Sequence, residues 1–431
     1  MSAEGFVRAK TWAALAVAAV CAAVCGTGPV AARDAASVAH YDIDAAIAQT
    51  AGTMSATVTI TLLPTDVHDG TAFLIGDWYV IKALSIGGGI TTTEGEASKP
   101  LSHAREIVLH LTHPLERPVT MRVAYYGKLN GPDTTQGEES LVPGRMELQL
   151  EGLWLPVRSD LTMKFTVDAR VRGIPHDEVV VSQGTYHHVR DELDLHRSYP
   201  DFDLPIVAAR GLNEFATPTV QVYAADLNGR LVRILRTHAV AAIDYYQSWF
   251  GPIPGVLPIR LVVTDRAGAG YERIGFTSIG APPKELANAH YPDYGPASLA
   301  AHETAHAWWD DADPMTDNYW LVESLAEYSS MRYIGHAFGP KVLALRISKK
   351  QTEAKGAPPI LGHGRPTRVD LYAKGPLLLF QLQDEIGRQK MDRVLAILGR
   401  NPPHVTGDFL QVLAKVAGPK AAENFKQMLQ R

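Results

Sequence analysis

His302-Glu303-Thr304-Ala305-His306 sits inside the run Ser298-Leu299-Ala300-Ala301-His302-Glu303-Thr304-Ala305-His306-Ala307-Trp308-Trp309. No Gly or Pro interrupts that run, and small apolar residues flank its charged centre, so it is predicted to be helical. Residues four apart share one face of a helix. His302 and His306 can therefore offer two imidazoles to one ion, with Glu303 one step round. This is the zinc-hydrolase pattern His-Glu-x-x-His. Read alone, the five residues also fit two ordinary surface histidines.

A catalytic zinc takes three protein ligands and keeps one position for water. Downstream, Asn318-Tyr319-Trp320-Leu321-Val322-Glu323-Ser324-Leu325-Ala326-Glu327-Tyr328 is a second predicted helix, with apolar residues at helical spacing. Glu323 lies in its first turns. Two histidines from one helix and this glutamate from the next would make a His2Glu site for one zinc ion per chain. Glu327 follows four residues later on the same face. A carboxylate there can accept a bond from a ligand histidine, or it is an ordinary surface glutamate.

Trp320-Leu321-Val322-Glu323-Ser324-Leu325-Ala326-Glu327-Tyr328 resembles the Trp-Leu-Asn-Glu-Gly-x-Ala-x-Tyr segment of the M1 aminopeptidases, a gluzincin family that includes aminopeptidase N and leukotriene A4 hydrolase. The family's third zinc ligand falls on Glu323. The interval from His306 is slightly shorter than usual, and the shortening falls around Asp310 to Thr316. Two further segments carry the resemblance. Gly268-Ala269-Gly270-Tyr271-Glu272-Arg273 is similar to the family's Gly-x-Met-Glu-Asn strand, whose Glu holds the substrate's free α-amine; Glu272 is the match, with Tyr271 and Arg273 replacing Met and Asn. Read without the family, it is a glycine-rich turn with a solvated Glu. Leu371-Tyr372-Ala373-Lys374-Gly375 resembles the Tyr-x-Lys-Gly helix start, whose Tyr points at the scissile carbonyl; Tyr372 is the match.

The resemblance implies a zinc-dependent aminopeptidase acting on peptides. Glu303 would activate the zinc's water, zinc and Tyr372 would share the oxyanion, and Glu272 would bind the amine. Two alternatives stay open. One is an endopeptidase on open peptides, and the other is a peptide-binding module that keeps the fold without turnover. Long M1 enzymes continue into a helical domain that roofs the cleft. Here about 55 residues follow Gly375, so a short form with a more open site is expected.

The rest of the 431 residues frames this site. Hydrophobic residues are 46% and charged residues 20%, as in soluble globular chains with a real core. The formal charge of −5 gives no electrostatic case for nucleic acid or an anionic membrane. Residues 1–32 read as a secretory signal peptide, with Arg8 and Lys10 before an apolar run and small residues before a cut near Ala32. An uncleaved N-terminal anchor is the alternative. Cys21 and Cys25 leave with the signal, and an exported protein, periplasmic or secreted, is expected.

From 38 to 215 the chain reads as β. His40-Tyr41-Asp42-Ile43-Asp44-Ala45 and Ser55-Ala56-Thr57-Val58-Thr59-Ile60-Thr61-Leu62 alternate apolar and polar residues, and several later segments do the same. Such a series predicts an antiparallel sandwich or saddle. His187 and His188 would face opposite ways on a strand and are read as surface residues, and Gly87-Gly88-Gly89 as a turn. After Phe215 the pattern changes to a strand at 219–223, a helix over 230–250 and a strand at 259–263, then nearly all helix. The expected architecture is α+β: an N-terminal β domain over 38–215, then a mainly helical, thermolysin-like zinc peptidase domain over 216–431. Trp308 and Trp309 are read as core.

Overall fold

The computed structural model describes residues 38–96, 103–130, 140–142, 144–266, 270–280 and 292–431. The expected signal segment lies outside the described residues, as do Gly268 and Ala269.

The first strand, Ala39–Ala48, shows why the early sequence is β. Tyr41, Ile43, Ala45 and Ile47 are buried, while Asp42 and Asp44 are exposed on the other face. That period-two alternation can bury one face only as a strand. It pairs antiparallel with Thr53–Leu62, from His40 opposite Thr61 to Ala48 opposite Thr53. The two sit inside a seven-stranded sheet that runs, edge to edge, Thr185–Val189, Glu192–Asp201, Phe165–Arg172, Ala39–Ala48, Thr53–Leu62, Val119–Lys128, Tyr79–Ile86. Two four-stranded sheets complete the β half.

One pairing departs from the antiparallel expectation. Ala39–Ala48 runs parallel to Phe165–Arg172. A parallel pair needs a long crossover, and here the intervening strands supply it. Alternation within a strand carries no information about its partner's direction, so the sequence could not show this. Tyr41 seals the joint. Its ring stacks on Phe165 at 4.0 Å, and its hydroxyl donates to the Pro156 carbonyl at 2.8 Å.

The later half opens with a five-stranded sheet ordered Asn213–Ala216, Val220–Ala224, Ile259–Val263, Phe276–Ile279, Tyr271–Arg273. The three central strands are parallel, and both edges are antiparallel. Ile274 and Gly275 turn the last hairpin, since Arg273 pairs directly with Phe276. Gly275 takes φ 68°, which glycine adopts without strain. Of the segment with a possible reading as a glycine-rich turn, Tyr271–Arg273 is thus an edge strand with a turn at its far end.

Eight helices follow or flank this sheet among the described residues. The helix Arg230–Phe250 matches the sequence reading at both ends. The buried apolar residues group into one large cluster from Ala39 to Ala208, another from Val220 to Leu429, and a small third one of Val181, Val207, Tyr223, Val262 and Phe276. Trp308 and Trp309 belong to the second and are each 1% exposed, so both are core.

Candidate active site

The helix Tyr294–Ala305 carries the first ligands. Ala297, Ala300, Ala301 and Ala305 are fully buried, and such small side chains let neighbouring helices come close. Tyr246, from Arg230–Phe250, donates to the Ala301 carbonyl at 2.9 Å. Ser298 and Ser330 hydroxyls meet at 2.9 Å on the other flank. The helix stops at Ala305, short of the expected Trp309. The Trp308 amide bonds back to Ala305, and His306 Nδ1 donates to the Trp309 carbonyl at 3.1 Å. A periodicity argument cannot see this stop, which is accompanied by a side-chain bond to a later carbonyl.

Glu323 lies in the first turn of the next helix, Trp320–Phe338. A short 3-10 turn, Asp317–Tyr319, leads into it, capped by Thr316. Tyr319 then donates its hydroxyl to Glu323 Oε1 at 2.9 Å. That bond leaves Oε2 directed at the histidines.

The ligand atoms converge. His302 Nε2 lies 3.2 Å from Glu323 Oε2 and 3.2 Å from His306 Nε2, and His306 Nε2 lies 3.8 Å from Glu323 Oε2. Bond lengths of 2.0–2.2 Å in a tetrahedron put zinc ligands about 3.4 Å apart. Proton placement makes the same case. His306 Nδ1 faces a carbonyl, and His302 Nδ1 faces Glu327 Oε2 at 3.1 Å. Both partners only accept, so each Nδ1 carries a hydrogen and Nε2 is the atom each ring turns inward, free to ligate once a metal displaces any proton there. Two imidazole Nε2 atoms and a carboxylate oxygen then meet in a buried space. The three residues fit a zinc ion.

The charges around them are strongly perturbed. Burial alone would lower His302, but its contacts with Glu323 and Glu327 push it up to about 10. Burial holds His306 down to about 4. Burial acts to raise Glu323, and the two histidines override it and bring it to about 2. Glu327 is held well below the carboxylate range: burial opposes its ionisation, but Lys350 at 2.6 Å, His302 and Arg346 at 3.1 Å outweigh it. Glu327 is therefore buried and fully engaged, rather than a surface residue. Lys350 and Arg346 passed unnoticed in the sequence. They lie on the following helix, Pro340–Glu353, and nothing local marks them.

Glu303 and Tyr372 border the same space. Burial raises Glu303 to about 7. Tyr372 lies in a π-helical turn, Asp370–Lys374, that leads directly into the helix Gly375–Ile386. Its ring centre is 5.5 Å from that of His302. Burial, the Glu323 carboxylate and the nearby Glu303 all raise its pKa far above that of a free phenol. Gly375 explains the close approach of this turn. A Cβ there would collide with Ser324, one residue past Glu323.

Glu272 reaches the same region from the edge strand. With Glu303, His306, Asp310 and Lys164 it lines a cavity of about 240 Å³. Burial and the Asp310 charge raise the Glu272 pKa, and burial with Asp201 raises that of Asp310. The role of Asp310 was not legible: in sequence it is one of several loop aspartates. Arg273 points elsewhere. It pairs with Asp203 at 2.7 Å and Glu151 at 3.2 Å, so it serves the packing under the strand.

The chain is similar to solved structures with this arrangement of elements. An M1 zinc metallopeptidase from Deinococcus radiodurans, bound to a Tyr-Ser-Ala substrate, is 18% identical with a TM-score of 0.65, covering 91% of this chain and 94% of that one. Native leukotriene A4 hydrolase from Saccharomyces cerevisiae is 16% identical with a TM-score of 0.66, covering 91% of this chain and 66% of that one. The fold is that of the M1 zinc metallopeptidases. The M1 fold was the expectation from the sequence motifs, and so was the α+β class. No protein-family model and no curated protein matches the sequence. The M1 likeness therefore rests on shape.

Proposed function

We propose that this chain is a zinc-dependent metallopeptidase that removes amino-terminal residues from peptides. The observation that carries the reading is the convergence of His302 Nε2, His306 Nε2 and Glu323 Oε2 in a buried space bordered by Glu303 and Tyr372. Bound there, zinc would acidify a water and polarise the scissile carbonyl.

The chain's own groups do the rest. Glu303 takes a proton from the attacking water and returns it to the leaving amine. A base with a pKa of about 7 suits that exchange near neutral pH. The Tyr372 phenol stays protonated and donates to the developing oxyanion. Glu327 holds the His302 ring in its orientation, and Tyr319 fixes Glu323. Glu272 receives the substrate's α-ammonium, and Asp310 adds negative charge to the same cavity. Residues 216–431 are proposed as the catalytic domain and 38–215 as the β domain beside it, with residues 1–32 directing export to the periplasm or beyond.

The deciding experiment is an assay of purified mature protein with zinc, against matched peptides with free and acetylated amino termini. Cleavage confined to the first bond of free peptides supports the reading. Cleavage of internal bonds irrespective of the terminus would replace it with endopeptidase activity, and no cleavage would leave a binding module.

A further inference from the structure

The outer face of the seven-stranded sheet carries a second convergence of metal-ligating atoms. Sheet register creates it. Asp42 stands opposite Asp168 across the parallel pair, and Asp168 stands opposite His196 on the next strand. His40 precedes Asp42 by two residues and so shares its face.

His40 Nε2 lies 3.5 Å from Asp42 Oδ1 and 3.4 Å from Asp168 Oδ2. These are long for hydrogen bonds to a carboxylate. They match the separation of about 3.4 Å between ligands of one tetrahedral ion. The tautomer agrees. His40 Nδ1 lies 2.8 Å from Thr166 Oγ1, whose own hydroxyl is directed at the Ala39 carbonyl at 3.5 Å. Nδ1 therefore donates to Thr166, and Nε2 is the ring atom turned toward the two carboxylates. One ligand atom from each of His40, Asp42 and Asp168 lies within 4.8 Å of the other two.

Neighbouring acids on this face behave differently. Asp44 pairs with Arg172, and Glu192 and Asp194 pair with Arg170. Asp42 and Asp168 have no arginine or lysine ion pair among the described residues; their charged partners are histidines only. Asp168 is also held in place, because His196 Nδ1 donates to its other oxygen at 2.7 Å. Ligand carboxylates in metal sites are commonly held by such an outer hydrogen bond. Asp42 and Asp168 are exposed and His40 is half-buried, so water can complete the coordination.

We propose that His40, Asp42 and Asp168, with His196 orienting Asp168, bind a second divalent ion of the zinc class, tying the first strand to a strand far later in the chain. An imidazole with two carboxylates suits zinc or cobalt better than calcium, which prefers oxygen alone.

The test uses the mature chain already loaded with one equivalent of zinc. Isothermal titration with Zn²⁺ near neutral pH, in a buffer that does not chelate, should show one further equivalent of micromolar affinity. Asp168→Asn and His40→Ala should abolish it, and His196→Ala should weaken it by about 10- to 100-fold. His302→Ala, titrated from the metal-free state, should retain it, which separates this site from the buried one. Metal-free melting curves check that each variant is folded, and Asp42→Asn replaces any that is not. A wild type that takes up no second equivalent overturns the proposal. So does a folded His40→Ala chain that binds as wild type does.

Discussion

Glu327 Oε2 lies 3.1 Å from His302 Nδ1, on the side of the ring away from Glu323, which lies 3.2 Å from Nε2. One imidazole is thus clamped between two carboxylates four residues apart on one helix. The inner one is placed to hold a metal, and the outer one, fixed by Lys350 and Arg346, orients the ring. Replacing Glu327 by Gln should keep the shape and lose the charge, and zinc affinity should fall by about 10- to 100-fold. Competition with a chelator measures this. Unchanged affinity would reduce Glu327 to an internal counter-ion for Lys350.

Glu323→Ala should go further, because it removes a ligand itself. Two histidines alone make a poor zinc site. The purified variant should lose most of its zinc, where wild type carries about one ion per chain. Metal analysis of both proteins decides it, and equal zinc content would falsify the third-ligand assignment.

Glu303 and Tyr372 are not among the three converging candidate ligands, although Tyr372 lies against His302 and Glu323, so their variants separate binding from chemistry. Glu303→Gln should keep zinc and lose nearly all turnover. Tyr372→Phe should keep zinc and substrate affinity, with kcat lower by about 10²–10³-fold, the usual cost of one oxyanion donor. Normal kcat in Tyr372→Phe would make the tyrosine a packing residue against His302.

Much of this was legible because the chemistry sits in short, contiguous motifs. The spacing of His302 and His306 and the first-turn position of Glu323 follow from helix geometry alone. The residues that support them do not. Lys350, Arg346 and Tyr319 matter through where their helices pack, and packing partners leave no local signature. The parallel pairing of Ala39–Ala48 was hidden for the same reason. The early stop at Ala305 comes with a side-chain contact that periodicity does not show, the bond from His306 to the Trp309 carbonyl.

Asp310 gives a pH prediction. Burial and the Asp201 charge raise its pKa above the ordinary 3.8, with Lys164 opposing them. An acid whose folded pKa is raised favours the fold fully below its unfolded pKa, and loses that advantage as pH rises through the folded pKa. Ionised Asp310 is therefore a load on the fold at neutral pH. Asp310→Asn should raise the Tm more at about pH 8 than at about pH 5. Thermal melts of substrate-free protein at both values test it. A Tm difference independent of pH would mean that Asp310 is ionised in the fold at both.

On the proposed function, Glu272 is the residue that sets where peptides are cut. It lines one cavity with Asp310 and Glu303, and burial beside Asp310 raises its pKa. A cavity with clustered acids and raised pKa values favours a bound cation, because the cation relieves the repulsion and restores the ionised form. A free α-amine is such a cation near neutral pH. A charge-assisted bond to it contributes roughly 1.5–3 kcal/mol. An acetylated terminus forfeits that bond and brings a bulkier neutral group. Wild type should therefore prefer free termini by about 10- to 100-fold in kcat/KM. Glu272→Ala should erase most of that preference by slowing free peptides, with little change for blocked ones. The measurement is kcat/KM on matched free and acetylated peptides for both proteins. Equal rates in wild type would sink the aminopeptidase reading. A preference that survives Glu272→Ala would move the amine to Asp310, and the double variant with Asp310→Asn would then abolish it.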